Sequence, residues 1–240
     1  MENKTLHQHI SRQFDNELEN VRGKVLEMGG LVEQQLSNSL KALIDGDINL
    51  AEDVIDTEIK VNTYEVKIDM ECTQILARRQ PAAGDLRLVM AITKTITDLE
   101  RIGDEAKKIA KMAIELTEKQ GPRAYYVGMN AMGNLVHKMV HDALDSFARM
   151  DSKDALIVAG KEPESDEQYG AILRQLITYM MEDPRNISSS IDAVWTARAL
   201  ERIGDHARNI CEYVIYLVEG KDVRHISIEQ MQQKINPTDV

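Results

Sequence analysis

Tryptophan, phenylalanine, proline and cysteine are nearly missing from this chain: one Trp, two Phe, five Pro and two Cys in 240 residues. With aromatics at 4% and 13 Gly, the chain lacks the turn residues and aromatic strand content of an all-β protein. The two cysteines, Cys72 and Cys211, do not make a disulfide framework and read as free thiols on helical segments. Basic residues are outnumbered, 29 Lys and Arg against 40 Asp and Glu, and the net charge of −11 argues against general nucleic-acid binding and against anionic membrane surfaces. No apolar run approaches the ~18–20 residues that span a bilayer. The first residues, Met1-Glu-Asn-Lys4, lack the apolar stretch of a signal peptide. A soluble, cytoplasmic protein is expected.

Catalytic signatures are also absent. There is no phosphate-binding loop, no G-x-G-x-x-G, no G-x-S-x-G and no His-Glu-x-x-His, and no Glu-x-x-His of the di-iron type. An enzyme is not expected.

What is present is a repeat. Leu99-Glu-Arg-Ile-Gly-Asp104-Glu-Ala-Lys-Lys-Ile109 returns as Leu200-Glu-Arg-Ile-Gly-Asp205-His-Ala-Arg-Asn-Ile210, identical at eight of eleven positions at an offset of 101. Earlier in the chain the offset is 104: Met28, Gly29, Leu31, Val32, Leu40, Asp47, Ala51, Val54, Glu58 and Ile68 match Met132, Gly133, Leu135, Val136, Leu144, Asp151, Ala155, Val158, Glu162 and Ile172. The chain is therefore two copies of a unit of about 100 residues, a common domain size.

Apolar residues at three- and four-residue steps predict long amphipathic helices. The spacing places them at about 11–45, 48–79 and 85–119, then again at 125–150, 152–182 and 186–219. Asp47 suits an N-cap after the Asp45-Gly46-Asp47 turn, and Gln80-Pro81 ends the second helix. Gly29 and Gly30 cost about 2 kcal/mol of helix propensity together, and the return of the first as Gly133 points to a close helix–helix contact rather than a break. Long helices on short turns pack as antiparallel neighbours. The expectation is an all-α fold of two tandem, sequence-repeated three-helix bundles. They span residues 1–120 and 121–220, divided at Gly121-Pro122, with a weakly ordered tail at 221–240.

Each motif copy carries Glu-x-x-x-Asp: Glu100 with Asp104, and Glu201 with Asp205. Four residues apart on a helix, two carboxylates share a face and repel by a few tenths of a kcal/mol. Making that choice twice implies a use, and hard cations such as Mg²⁺, Mn²⁺ or Ca²⁺ want such oxygens. At ~100° per residue Glu100 falls roughly 60° and Asp104 roughly 100° from the centre of the apolar stripe, so the pair flanks the core. Gly103 and Gly204 lie on the packing face and admit a close neighbour. The second helix of each unit offers Glu58 and Asn62, matched by Glu162 and Asp166. Eight residues are thus candidate metal ligands. The plain alternative is that the motif carboxylates pair with Arg101, Lys107 or Lys108 on a solvated surface.

His137 and His141, also four apart, make a second possible metal pair without a counterpart in the first unit, where Glu33 and Ser37 stand. Two further functions use these residues: a metal-dependent hydrolase built on the helical carboxylates, and a histidine phosphotransfer domain built on His137 or His141.

The segments Met28-Gly-Gly-Leu-Val-Glu-Gln-Gln35, Arg78-Arg-Gln-Pro-Ala-Ala-Gly-Asp-Leu-Arg87 and Tyr179-Met-Met-Glu-Asp-Pro184, with both Leu-Glu-Arg-Ile-Gly-Asp copies, resemble the PhoU family over nearly the whole chain. That resemblance implies metal ions, Mg, Mn or Fe, held through Glu100, Asp104, Glu201 and Asp205. It also implies a homodimer that represses the phosphate-starvation response when phosphate is plentiful. In that role the protein links the ATPase subunit of the phosphate ABC transporter to a sensor histidine kinase, so that membranes are met only through partners. One departure stands out: Pro163, where the family has continuous helix, is expected to kink the segment that carries Glu162 and Asp166.

Overall fold

The computed structural model describes residues 12–120, 122 and 124–235. Ser11, Gly121 and residues 236–240, which the sequence reading placed in the first helix, at the unit boundary and in the tail, lie outside the described residues. Among the described residues there are eight α-helices, one 3₁₀ turn and no strand. In chain order they are α1 (Arg12–Asp45), α2 (Ile48–Arg79), α3 (Ala83–Glu118), α4 (Ala124–Arg149), α5 (Ser152–Ala159), α6 (Glu162–Glu182), α7 (Ile187–Glu219) and α8 (Ile228–Ile235), with the 3₁₀ turn at Pro184–Asn186 before α7.

The helix ends follow local chemistry. The Asp47 side chain accepts the Leu50 amide at 3.0 Å to start α2, and Asp151 at the matching place accepts those of Lys153 and Asp154. Gln80 takes a left-handed conformation, φ 46°, ahead of Pro81. Gly220, φ 69°, caps α7 in the same way.

Two expectations are corrected. The helix expected at 152–182 is two helices, separated at Gly160-Lys161. Pro163 sits in the first turn of α6, where its missing amide would have had no helical partner, so it opens a new helix instead of kinking one. The tail is also structured as far as Ile235. Ser227 and Gln230 form a reciprocal capping box, the Gln230 side chain accepting the Ser227 amide at 3.0 Å and the Ser227 hydroxyl accepting the Gln230 amide at 3.3 Å. Val223, Met231 and Ile235 are buried, and Ile228 reaches α5 at Gly160.

Helices α1, α2 and α3 pack on one another, and α4, α5–α6 and α7 repeat the arrangement. Among the described residues the most extensive contact joins the repeats through α3 and α7. These run antiparallel: His206 meets Asp98 at 2.7 Å, Arg202 meets Glu105 at 2.9 Å and Lys119 meets Asp192 at 2.6 Å. A second antiparallel crossing joins α1 to α4. A methyl group added at Gly29 would lie 2.6 Å from the Leu144 side chain, and one at Gly133 would lie 2.5 Å from that of Leu40. Gly29 and Leu40 are the repeat counterparts of Gly133 and Leu144, so the crossing has internal two-fold character. This is the close contact that the repeated glycine implies. A single apolar cluster runs through both repeats, from Phe14 and Leu36 to Leu99, Phe147 and Ile215.

Candidate metal centres and family relationship

In the second unit the turn at Gly160-Lys161 delivers the start of α6 to the middle of α7. Gly204 permits the approach, since a methyl there would stand 3.0 Å from Ser165 Oγ. Carboxylate oxygens of Glu162 and Asp166 on α6 and Asp205 on α7 all fall within 4.8 Å of one another. Glu201 lies one turn before Asp205 and is buried.

The electrostatics show an excess of negative charge. Burial, and then the Asp205 carboxylate, pushes Glu201 above the ordinary carboxylate range, with Asp166 adding to the shift. Burial and Asp166 do the same to Asp205. Burial raises Glu162 against the opposing pull of Arg208, whose Nη1 donates to Glu162 Oε2 at 2.8 Å. Arg198 reaches Glu201 Oε1 from the preceding turn, while Glu201 Oε2 is buried without a hydrogen-bond partner. An unpartnered anionic oxygen beside the Asp205 and Asp166 carboxylates is what a hard cation would satisfy.

The first unit is built differently. A methyl at Gly103 would lie 3.1 Å from Gln35 Oε1 and 3.4 Å from Val61, so α1 and α2 both come close. Burial raises Glu100, with Asp104 and then Glu65 adding to it. Glu65 is raised in turn by burial and by Asp69. Glu58, the counterpart of Glu162, is engaged by Lys107 and receives Asn62 Nδ2 at 3.4 Å. Asn62 Oδ1 is buried without a hydrogen-bond partner. The structure brings Glu162, Asp166 and Asp205 together, leaves Glu201 one turn away beside Asp205 and Asp166, and sets Glu100 beside Asp104 and Glu65, with Glu58 turned to Lys107 instead.

Glu65 was missed because repeat matching pairs it with Tyr169, which hides it. Its place seven residues after Glu58 on the same helical stripe was the available signal. Asp98 was missed as well. It is buried, bound by His206 Nδ1 at 2.7 Å and by Asn209 Nδ2 at 3.0 Å, and ties α3 to α7.

His137 and His141 are not in either set. They stand on α4 facing Glu33 of α1, with His141 Nδ1 at 2.9 Å from Glu33 Oε1.

Comparison with known proteins agrees with the doubled architecture. The PhoU domain family matches residues 25–113 and again residues 129–214. The chain belongs to the PhoU family. A relative from Pseudomonas aeruginosa, the phosphate-specific transport system accessory protein PhoU homolog, is 54% identical over 96% of this chain and 96% of its own length. The PhoU protein of the same name from Escherichia coli strain K12 is 46% identical over 97% of this chain and 96% of its own. The crystal structure of PhoU from Pseudomonas aeruginosa superposes with a TM-score of 0.85 over 87% of this chain and all of that one. The phosphate transport system regulatory protein PhoU from Streptococcus pneumoniae, at 33% identity, gives 0.81 over 88% of this chain and 99% of that one. The PhoU-like helical repeat expected from the sequence is thus the fold observed. Among the described residues no helix is long and apolar enough to cross a membrane.

Proposed function

We propose that this PhoU-family chain is a cytoplasmic accessory regulator of a phosphate-specific transport system and carries hard divalent cations in both repeats. The observation that supports the regulatory role most is full-length identity of 46–54% to proteins named as accessory to that system. In this reading a homodimer relays the state of the transporter, through its ATPase subunit, to a sensor histidine kinase. Phosphate plenty then keeps the starvation response off.

The residues fit the cations. In the second repeat Glu162, Asp166, Glu201 and Asp205 would hold the ion. In the first, Glu100 and Asp104 with Glu65 and Asn62 Oδ1 would do so. Both sets offer only oxygen, the preference of Mg²⁺ and Mn²⁺, and each holds one buried, unpartnered oxygen. A bound ion supplies positive charge that offsets the carboxylate repulsion. The protein's part is to hold the two helices of each set in register, through Gly103 and Gly204, so that the oxygens face one another.

Co-elution of the purified full-length chain with the transporter ATPase subunit and with the kinase cytoplasmic domain, with and without Mn²⁺, tests the role. A stable complex with at least one of them is expected. No complex with either, under both conditions, would refute it.

A further inference from the structure

Past the carboxylate set of the second repeat, α6 and α7 continue side by side toward the turn that joins them. The Arg198 guanidinium lies 5.8 Å from the centre of the Tyr169 ring, one turn beyond the place where Asp166 meets Asp205, so the two helices run antiparallel in a fixed register. Helical spacing then carries Tyr169, Leu173 and Ile177 along one side of α6. It carries Ile187, Ile191, Val194 and Trp195 along the side of α7 that holds Arg198. Solvent reaches this surface: Trp195, the single tryptophan of the chain, is 62% exposed, Ile191 46%, Ile177 45% and Ile187 43%.

The first repeat serves as an internal control. Tyr169, Leu173, Ile177, Val194 and Trp195 stand where it has Glu65, Asp69, Thr73, Thr93 and Lys94. The same bundle folds with polar side chains at those five places, so folding does not account for the apolar ones. A contiguous apolar surface with an exposed tryptophan is what a protein interface uses.

We propose that this α6–α7 surface docks an amphipathic helix of a partner protein, its apolar side on the two helices and Lys or Arg at the end that meets the carboxylates. Charge sets the orientation and the partner. One end of the surface holds Glu162, Asp166, Glu201 and Asp205 against two guanidiniums, Arg198 on Glu201 and Arg208 on Glu162, and Glu201 Oε2 is buried without a hydrogen-bond partner. The other end, at Ile177, Ile187 and Ile191, is apolar. From Asp205 to Ile187 the surface runs about 27 Å, the length of about 18 helical residues, and laying an apolar helix face into such a channel is a common mode of recognition. Anionic lipid would meet the carboxylates unfavourably. A second copy of the chain, paired about a two-fold axis, would set its carboxylates against the apolar end where no cation waits.

The test uses the full-length protein in chelator, which keeps the readout independent of any cation at the carboxylates. The probe is a synthetic peptide of about 18 residues made of Leu and Lys alone, with Leu at three- and four-residue steps. The peptide has no aromatic residue, so tryptophan emission comes from Trp195 only. Binding should move that emission to shorter wavelength, and the same peptide with Glu for Lys should not. Ile177→Ser/Ile191→Ser should weaken binding of the Lys peptide about tenfold or more. Leu86→Ser/Met90→Ser, at the exposed first-repeat counterparts of Ile187 and Ile191, should leave it unchanged. All four positions are solvent-exposed, and circular dichroism confirms that both variants fold. No emission shift, equal binding of the Glu peptide, or equal weakening by the two double variants would overturn the proposal. So would light scattering in which Ile177→Ser/Ile191→Ser dissociates a wild-type dimer, because a second copy would then be what covers the surface.

Discussion

At the scale of single residues the second-repeat carboxylates carry charge that the fold resists. Glu201 and Asp205 both have pKa values raised by burial and by neighbouring carboxylates. A carboxyl group with a folded-state pKa above its unfolded value stabilises the fold most while protonated, and that contribution is lost as pH rises through the folded-state value. Relative to Glu201→Gln/Asp205→Asn, protein treated with a chelator should therefore lose thermal stability as pH rises beyond the ordinary carboxylate range of about 4–4.5. Glu201→Gln/Asp205→Asn should flatten that dependence and raise Tm at neutral pH. Thermal melts of both proteins in chelator across this range check it, and a wild type that gains stability over the variant with rising pH would contradict the sign. His206 contributes through a hydrogen bond instead. Its Nδ1 stands 2.7 Å from Oδ1 of the buried Asp98, and His206→Ala would leave that carboxylate with Asn209 and Tyr213. A loss of about 1–3 kcal/mol in chemical denaturation is expected. The motif glutamates and aspartates were legible because the sequence states them twice. Asp98 was not, because its role depends on which helix faces it, and the meeting of α3 with α7 is a tertiary fact that no spacing within α3 encodes.

At the scale of elements the helices follow local rules, and the misses come from local rules left unread. The Asp47 and Asp151 caps and the Gln80-Pro81 stop set the ends of α2 and the start of α5 as the residues suggest. The split between α5 and α6 was signalled by Gly160 and Pro163 together, since proline belongs in a first turn. Helix α8 was signalled by Ser227-x-x-Gln230, a capping box ahead of Met231 and Ile235. Both were outweighed by the pattern of the repeat, which has no such features in the first unit. Because Met231 is fully buried, Met231→Ala should cost about 2 kcal/mol or more, read by urea denaturation. A change near zero would mean that α8 does not belong to the core. The paired glycines of α1 separate packing from propensity. Nothing lies within 4 Å of a methyl at Gly30, whereas one at Gly29 meets Leu144 at 2.6 Å. Gly30→Ala should thus stabilise by about 0.5–1 kcal/mol through helix propensity. Gly29→Ala should fall short of that gain or reverse it, because Leu144 must move.

At the scale of the whole molecule the repeat gave the helix order and the pairing of units, and the way they join came from the structure. Antiparallel packing of α3 on α7, with α1 on α4, merges two bundles into one apolar core. Unfolding should accordingly be a single cooperative transition by scanning calorimetry, and two separated transitions would show that the repeats are independent. The same join places the first carboxylate set near the second unit: His206 of α7 acts on Glu100 of α3. Sequence identity over nearly the full length supports the proposed regulatory role, and the carboxylate geometry supports the proposal that the repeats hold metal. The most direct measurement of that claim is calorimetric titration of Mn²⁺ into the metal-free wild type, into Glu100→Gln/Asp104→Asn and into Glu201→Gln/Asp205→Asn. The predicted result is that each double variant loses the binding of its own repeat and keeps that of the other, with folding intact. Unchanged stoichiometry and affinity in both variants would show that these carboxylates are ordinary charges of a helical surface.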